Sequence, residues 1–186
     1  MALNATVFKI ELAISDIDRG HYATYPLTVA RHPSETDVRM MLRVLAFALF
    51  ANERLEFGRG LSDVDEPHLR ITDLTGETEL WIELGTPDPK RLHKALARSR
   101  RLVVMAYGRA VPLWWRGVVA EFGRVGEVEV FAVADQELTS LASLVQRTMQ
   151  LQCTIQDGLV WVSDATRTVA VTPQRLEKDT YRASQP

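Results

Sequence analysis

The stretch from residue 65 to 94, DEPHLRITDLTGETELWIELGTPDPKRLHK, constrains the fold more than any other, because two periodicities meet in it. From Thr78 the chain alternates. Glu79, Trp81 and Glu83 fall on one face of an extended segment, and Leu80, Ile82 and Leu84 on the other, which predicts a half-buried strand whose polar face carries two carboxylates. The preceding HLRITD is rich in strand formers, and Asp73-Leu74-Thr75-Gly76-Glu77 supplies turn chemistry, so the two runs read as an antiparallel hairpin. With Thr75 at its tip, Glu83 lies across from about Pro67, and Asp65 and Glu66 approach Glu83 at the open end, where a cation can be shared. Asp88 and Pro89 then mark the cap and first position of a helix to about Arg100.

The flanking chain follows the same two periods. Phe8, Ile10, Leu12 and Ile14 alternate with polar residues, and Tyr25, Leu27 and Val29 continue the pattern after a turn, predicting an N-terminal hairpin. Ser34, with Asp37 three residues on, reads as the cap of a helix carrying Val38, Met41, Leu42, Leu45 and Leu49 on one stripe. A short strand is expected around Leu55 to Phe57, a buried strand from Leu102 to Tyr107, a helix over Val111 to Phe122 and a strand over Glu127 to Val133. Asp135 is the expected cap of a helix from Gln136 to about Met149. LQCTIQ, LVWVS and TVAVT then form strands joined by turns at Asp157-Gly158 and Asp164-Ala165. The 186 residues fit a single domain, 1–186, of class α+β with a mixed sheet, extended by the N-terminal hairpin and the C-terminal strands.

Composition excludes some partners. A formal charge of -2 argues against a chain that coats nucleic acid through a uniformly basic surface. It leaves room for a local patch, and the helix PKRLHKALARSRR, with Lys90, Arg91, Lys94 and Arg98 and no acid, is that patch. Cys153 is the only cysteine, so neither an intrachain disulfide nor a cysteine zinc cluster is available, which matches a reducing compartment. MALNATVFKIELAIS lacks the basic and apolar blocks of an export signal, and no window reaches membrane-spanning length. The expectation is a cytoplasmic protein without a membrane segment. Ser34 and Cys153 have no histidine at a motif spacing, and the four histidines show no paired-ligand spacing. Trp114 and Trp115 are candidates for stacking on bases, although one of such a helical pair packs inward.

From about 33 to 108 the expected order is helix, three strands, helix, strand. That order resembles the αβββαβ core of the PD-(D/E)XK nuclease superfamily. The resemblance implies a divalent ion, taken here as Mg²⁺, held by Asp65 and by Glu83, the acidic residue of the tripeptide, with Glu35 as a third carboxylate. The tripeptide reads Glu83-Leu84-Gly85, without its lysine, so Lys94, and after it Lys90, is the implied replacement. More specifically, RHPSETDVRMMLRVLAFAL at 31–49, GLSDVDEP at 60–67, DLTGETELWIELGTPDPKRLHKA at 73–95 and QRTMQLQCTIQDG at 146–158 make the chain similar to the YaeQ family of small bacterial proteins. The function expected on these grounds is metal-dependent phosphodiester hydrolysis on nucleic acid, with Asp65, Glu83, Lys94 and Glu35 at the centre and Lys90, Arg91 and Arg98 on the phosphates. The rival expectation is an inactive nuclease-like module that binds nucleic acid or protein.

Overall fold

The N-terminal alternation produces the longest pairing in the protein. Strands β1 (Thr6–Asp16) and β2 (His21–Arg31) run antiparallel from Thr6↔Arg31 to Asp16↔His21. In the computed structural model, which describes residues 5–58, 66–122 and 128–177, this hairpin does not extend the sheet that holds Glu83. Its β1 instead pairs in parallel with β8 (Thr148–Gln156), which turns back through β9 (Leu159–Ser163) to β10 (Thr168–Val171). The result is a separate five-stranded sheet in the order β10-β9-β8-β1-β2, so the expectation of one extended sheet is corrected to two. Asp157 and Gly158 both have positive φ, at 54° and 74°, as a two-residue hairpin turn of matching twist demands. The Asp18 carboxylate accepts both of their N–H groups, at 2.7 and 2.9 Å, and so ties the tips of the two hairpins together.

The second sheet has the order β11-β7-β6-β5-β4-β3. Its strands are β3 (Leu55–Phe57), β4 (Leu69–Thr72), β5 (Thr78–Leu84), β6 (Ser99–Ala106), β7 (Val128–Ala132) and the unanticipated β11 (Gln174–Arg175). Strands β5, β6 and β7 are parallel, joined by helices α2 (Pro89–Arg98) and α3 (Val111–Phe122), and the remaining pairs are antiparallel. Helix α2 ends at Arg98, short of the expected Arg100, because Ser99 already starts β6.

Helix α1 (Asp37–Leu49) lies between the two sheets, and every residue from Met40 to Ala48 is buried. A helix wetted on one side needs only a stripe of apolar residues, whereas MMLRVLAFA is apolar nearly all round. Its cap is Thr36, whose hydroxyl accepts the Arg39 N–H at 3.2 Å, rather than the expected Ser34. The Ser34 hydroxyl lies 2.7 Å from His32 Nδ1, a local contact that takes it away from the helix. Helix α4 (Asp135–Ala142) packs on α1 and ends seven residues earlier than expected, because Thr148 and Met149 belong to β8. Asp135 does not cap it; its Oδ1 accepts the Gly108 N–H at 2.9 Å. A second apolar cluster, built from Trp81, Leu92, Leu102, Val104, Val118 and Val130, glues α2 and α3 to the opposite face of the second sheet.

Candidate functional site

The β4–β5 register brings the site together. Leu69 pairs with Ile82 and the His68 N–H donates to Ile82 O at 3.0 Å, so His68, one residue beyond the expected Pro67, sits opposite Glu83. The polar face expected of β5 is not solvent-facing. Trp81 and Glu83 are buried beneath α2 and α3, and Glu83 has 0% exposure. Burial of a lone carboxylate is costly, and here it is offset by partners from three elements. The Trp81 indole N–H donates to Glu83 Oε1 at 2.6 Å, and Arg91 Nη2 lies 2.9 Å from the same oxygen. Asp88 caps α2 by accepting the Arg91 N–H at 3.0 Å with Pro89 at the first position, so the first turn is anchored where Arg91 reaches inward to Glu83 and to Glu66 O, 2.9 Å away.

The other oxygen is held differently. His68 Nδ1 lies 2.9 Å from Glu83 Oε2, and Arg39 Nη2 lies 2.6 Å from His68 Nε2. A guanidinium only donates, so Nε2 accepts and the ring proton is assigned to Nδ1. With the proton there, Nδ1 cannot also accept from the Leu84 N–H that points at it from 3.2 Å, and its contact with Oε2 is not aligned as a hydrogen bond. Oε2 is held by proximity to the ring and keeps a lone pair uncommitted. Arg39 continues to Glu35 Oε1 at 3.2 Å, while Arg43, four residues along α1, binds Glu35 Oε2 at 2.6 Å and Ala30 O at 2.9 Å. A polar chain thus runs Arg43, Glu35, Arg39, His68, Glu83, Arg91 from one side of the β4–β5 hairpin to the other. It holds three guanidiniums against two carboxylates, an excess of positive charge in a buried place.

This environment sets the charge states. Burial pushes the Glu83 carboxyl up, but the His68 and Arg91 contacts and the Trp81 hydrogen bond outweigh it and hold the group below its ordinary value of 4.5. Burial pushes His68 below its ordinary 6.5 despite the attraction of Glu83. Near neutral pH the centre therefore holds an anionic Glu83 beside a neutral imidazole.

The residues singled out in the sequence are distributed unevenly. Glu83 and Glu35 share the network, but Glu35 precedes α1 by two residues and both its oxygens are taken by arginines. Arg91 turns inward to Glu83 rather than outward to solvent, with its side chain 20% exposed. Lys90 and Arg98 are exposed on α2, and Lys94, half-buried, is three residues beyond Arg91. Asp65 lies outside the described residues. Among the described residues no group of three His, Cys, Asp or Glu side chains is arranged to hold a metal, so Glu83 Oε2 is one hard oxygen donor in want of others. Gly85 has φ +89° and its N–H donates to Met105 O at 2.9 Å, so the lysine is absent where the backbone itself favours glycine. His68, Arg39 and Arg43 were not anticipated; the two arginines four apart inside an otherwise apolar helix were the available signal.

Fold and site together define an α+β protein of two sheets around a buried helix, with an ionic chain crossing beneath one hairpin. The model of the YaeQ protein family matches residues 1–173, and the chain belongs to that family. The uncharacterised protein YaeQ of Salmonella typhi is 43% identical over 166 residues, covering 89% of this chain and 92% of the relative. Its counterpart in Escherichia coli K12 is 41% identical over 165 residues, 88% and 91% of the two chains. The crystal structure of YaeQ from Xanthomonas axonopodis pv. citri superimposes with a TM-score of 0.90 at 49% identity, covering 93% of this chain and 98% of that one. That of Pseudomonas syringae YaeQ gives 0.88 at 40% identity, with 93% and 96% covered. Among the described residues no helix is long and apolar enough to cross a membrane.

Proposed function

We propose that this protein hydrolyses phosphodiester bonds in nucleic acid with Mg²⁺ as its cofactor, as a cytoplasmic enzyme with a PD-(D/E)XK-like core. The observation that carries this is Glu83: a wholly buried carboxylate, ionised at neutral pH, that keeps Oε2 outside any aligned hydrogen bond. Such an oxygen is the donor Mg²⁺ takes, and Asp65, one residue before the Arg91-bound Glu66, is the second ligand. The order α1-β3-β4-β5-α2-β6 supports the nuclease analogy, with Glu83 on β5 where the tripeptide acid belongs. When bound, the metal supplies Lewis-acid polarisation of the scissile phosphate and a more acidic water.

The remaining roles belong to the chain. Arg91 is the cation nearest Glu83 and takes the charge position that Gly85 leaves empty, while Lys94, further along α2, orients water or phosphate. Glu35 assists by holding Arg39 against His68. The surplus of guanidinium charge favours approach of a phosphate, and Lys90 and Arg98 contact the backbone on either side. A second function is favoured by one observation, the left-handed Gly85 beside a Glu83 already closed off by Arg91 and Trp81. On that basis the chain is an inactive nuclease-like module that binds nucleic acid or a protein partner.

Incubation with single- and double-stranded DNA and RNA in Mg²⁺ or Mn²⁺ separates the two. The enzyme cuts at least one form, and Glu83→Gln, checked for an unchanged melting temperature, does not. Cleavage no greater than that of Glu83→Gln on every substrate would rule the enzyme out, and binding that survives Glu83→Gln but not Lys90→Ala/Arg98→Ala would establish the module.

A further inference from the structure

A separate cavity lies at the same, carboxyl, end of the parallel strands as Glu83, but beside β6 and β7 rather than β5. It has a volume of about 560 Å³, within the usual range for small-molecule sites, and shares no residue with the Glu83 network. The helices that follow these two adjacent strands depart to opposite faces of the sheet. Helix α3 joins the cluster containing Trp81 and Leu92, whereas α4 sends Leu138 and Leu141 into the core around α1. Parting of successive helices around neighbouring parallel strands leaves a crevice, and in open α/β sheets that crevice is where ligands bind.

Its lining specifies a chemistry. Val111, Val133 and Leu176 supply an apolar wall, and Trp115 a large ring. The neighbouring Trp114 is committed elsewhere, its indole N–H donating to Pro87 O at 2.7 Å, so of the pair it is Trp115 that lines the cavity. Three carboxylates line it as well: Asp135 accepts the Gly108 N–H at 2.9 Å and Glu137 Oε1 the Thr172 N–H at 3.2 Å, whereas Glu137 Oε2 is buried without a hydrogen-bond partner and Glu177 is exposed. Arg109 is exposed and, among the described residues, forms no ion pair. Arg116 also lines the cavity and is already engaged, so the slot offers a ring to stack on and, in Arg109, a guanidinium not yet ion-paired, a combination that selects a flat ring bearing an acid.

We infer that this cavity binds a planar aromatic anion, its ring against Trp115 and its carboxylate or phosphate on Arg109. Two sources share this chemistry, a mononucleotide and an aromatic carboxylic acid. Calorimetric titration with adenosine 5′-monophosphate and with indole-3-acetate distinguishes them, with adenosine and indole as uncharged controls. At least one anion binds in the submillimolar range and its uncharged counterpart binds at least tenfold more weakly. Arg109→Ala, a change at an exposed position, weakens the anion roughly tenfold or more, the loss of a charged hydrogen bond. Trp115→Ala removes binding while Trp115→Phe retains it. Absence of binding by both anions at millimolar concentration, equal binding by the uncharged controls, or an affinity unchanged in Arg109→Ala would overturn the assignment. Glu83→Gln binds the probe as the native protein does, so the cavity and the nuclease proposal fail separately; loss of probe binding in Glu83→Gln would place the ligand elsewhere and sink this inference.

Discussion

Glu79 and Glu83 sit on one face of the same strand, four residues apart, and their fates are opposite. Glu79, at the start of β5, keeps its side chain 34% exposed and pairs with Arg54 at 2.8 Å on the surface. Glu83, near the end, is sealed beneath the first turn of α2 and meets Arg91, His68 and Trp81. The same side chain in the same alternation is thus a solvated charge at one end and the centre of an ionic chain at the other. What differs is the layer above, because the capped start of α2 lies over the carboxyl end of the strand.

The sharpest way to break this comparison is to remove each carboxylate. Glu83→Ala leaves Arg91 and His68 buried without their partner and should cost about 3–5 kcal/mol in urea unfolding. Glu79→Ala, an exposed pair, should cost at most about 1 kcal/mol. Equal losses would show that Glu83 is as dispensable as a surface charge.

Acid tests the same contrast without mutation. Both His68 and Glu83 have native values depressed below their ordinary 6.5 and 4.5, so the unfolded chain binds protons first and each contributes stability that is present above those values. The urea midpoint should fall as pH drops below about 6.5, through His68, and fall further below about 4.5, through Glu83. His68→Gln should remove the upper part of that decline while Glu79→Ala leaves it in place. A midpoint that is flat or rising between pH 7 and 5 would mean that the imidazole is not held neutral by burial.

The smallest expected effect lies just past the strand. Gly85, at φ +89°, has space for a Cβ, which would meet only Tyr107 Cε1 at 3.7 Å, so strain rather than collision sets the loss. Gly85→Ala should cost about 1–2 kcal/mol, and Gly85→Lys a similar amount without improving any activity. A stabilising Gly85→Lys would mean that the missing lysine is an accident of sequence rather than a demand of the backbone.

Much of this architecture was legible beforehand where a single period ran uninterrupted. The alternation at Phe8 to Ile14 and at Thr78 to Leu84, the Asp88-Pro89 start of α2, the α3 span and the Asp157-Gly158 turn all appear in the structure. Errors cluster where local signals competed. Ser34 and Asp135 are good capping residues, yet the first contacts His32 and the second holds Gly108. The stripe that ran on to Met149 crossed from α4 into β8, where parallel pairing with β1 overrode helical spacing. Of the candidate site, Glu83 and the basic α2 were readable, whereas His68, Arg39 and Arg43 were not, because their contacts join positions up to 29 residues apart.

By itself, then, the sequence determined most of the elements and the acidic and basic residues near the β4–β5 hairpin, because these depend on periodicity, caps and turns acting over a few neighbours. Tertiary structure alone decided that the terminal strands form their own sheet and that Glu83 rather than Glu79 is buried. It also decided that Arg91 turns inward and that Trp115 lines a crevice between diverging helices. Those outcomes depend on which layer covers which face. Burial and charge pairing are then set by segments distant in the chain, whose proximity no local pattern encodes.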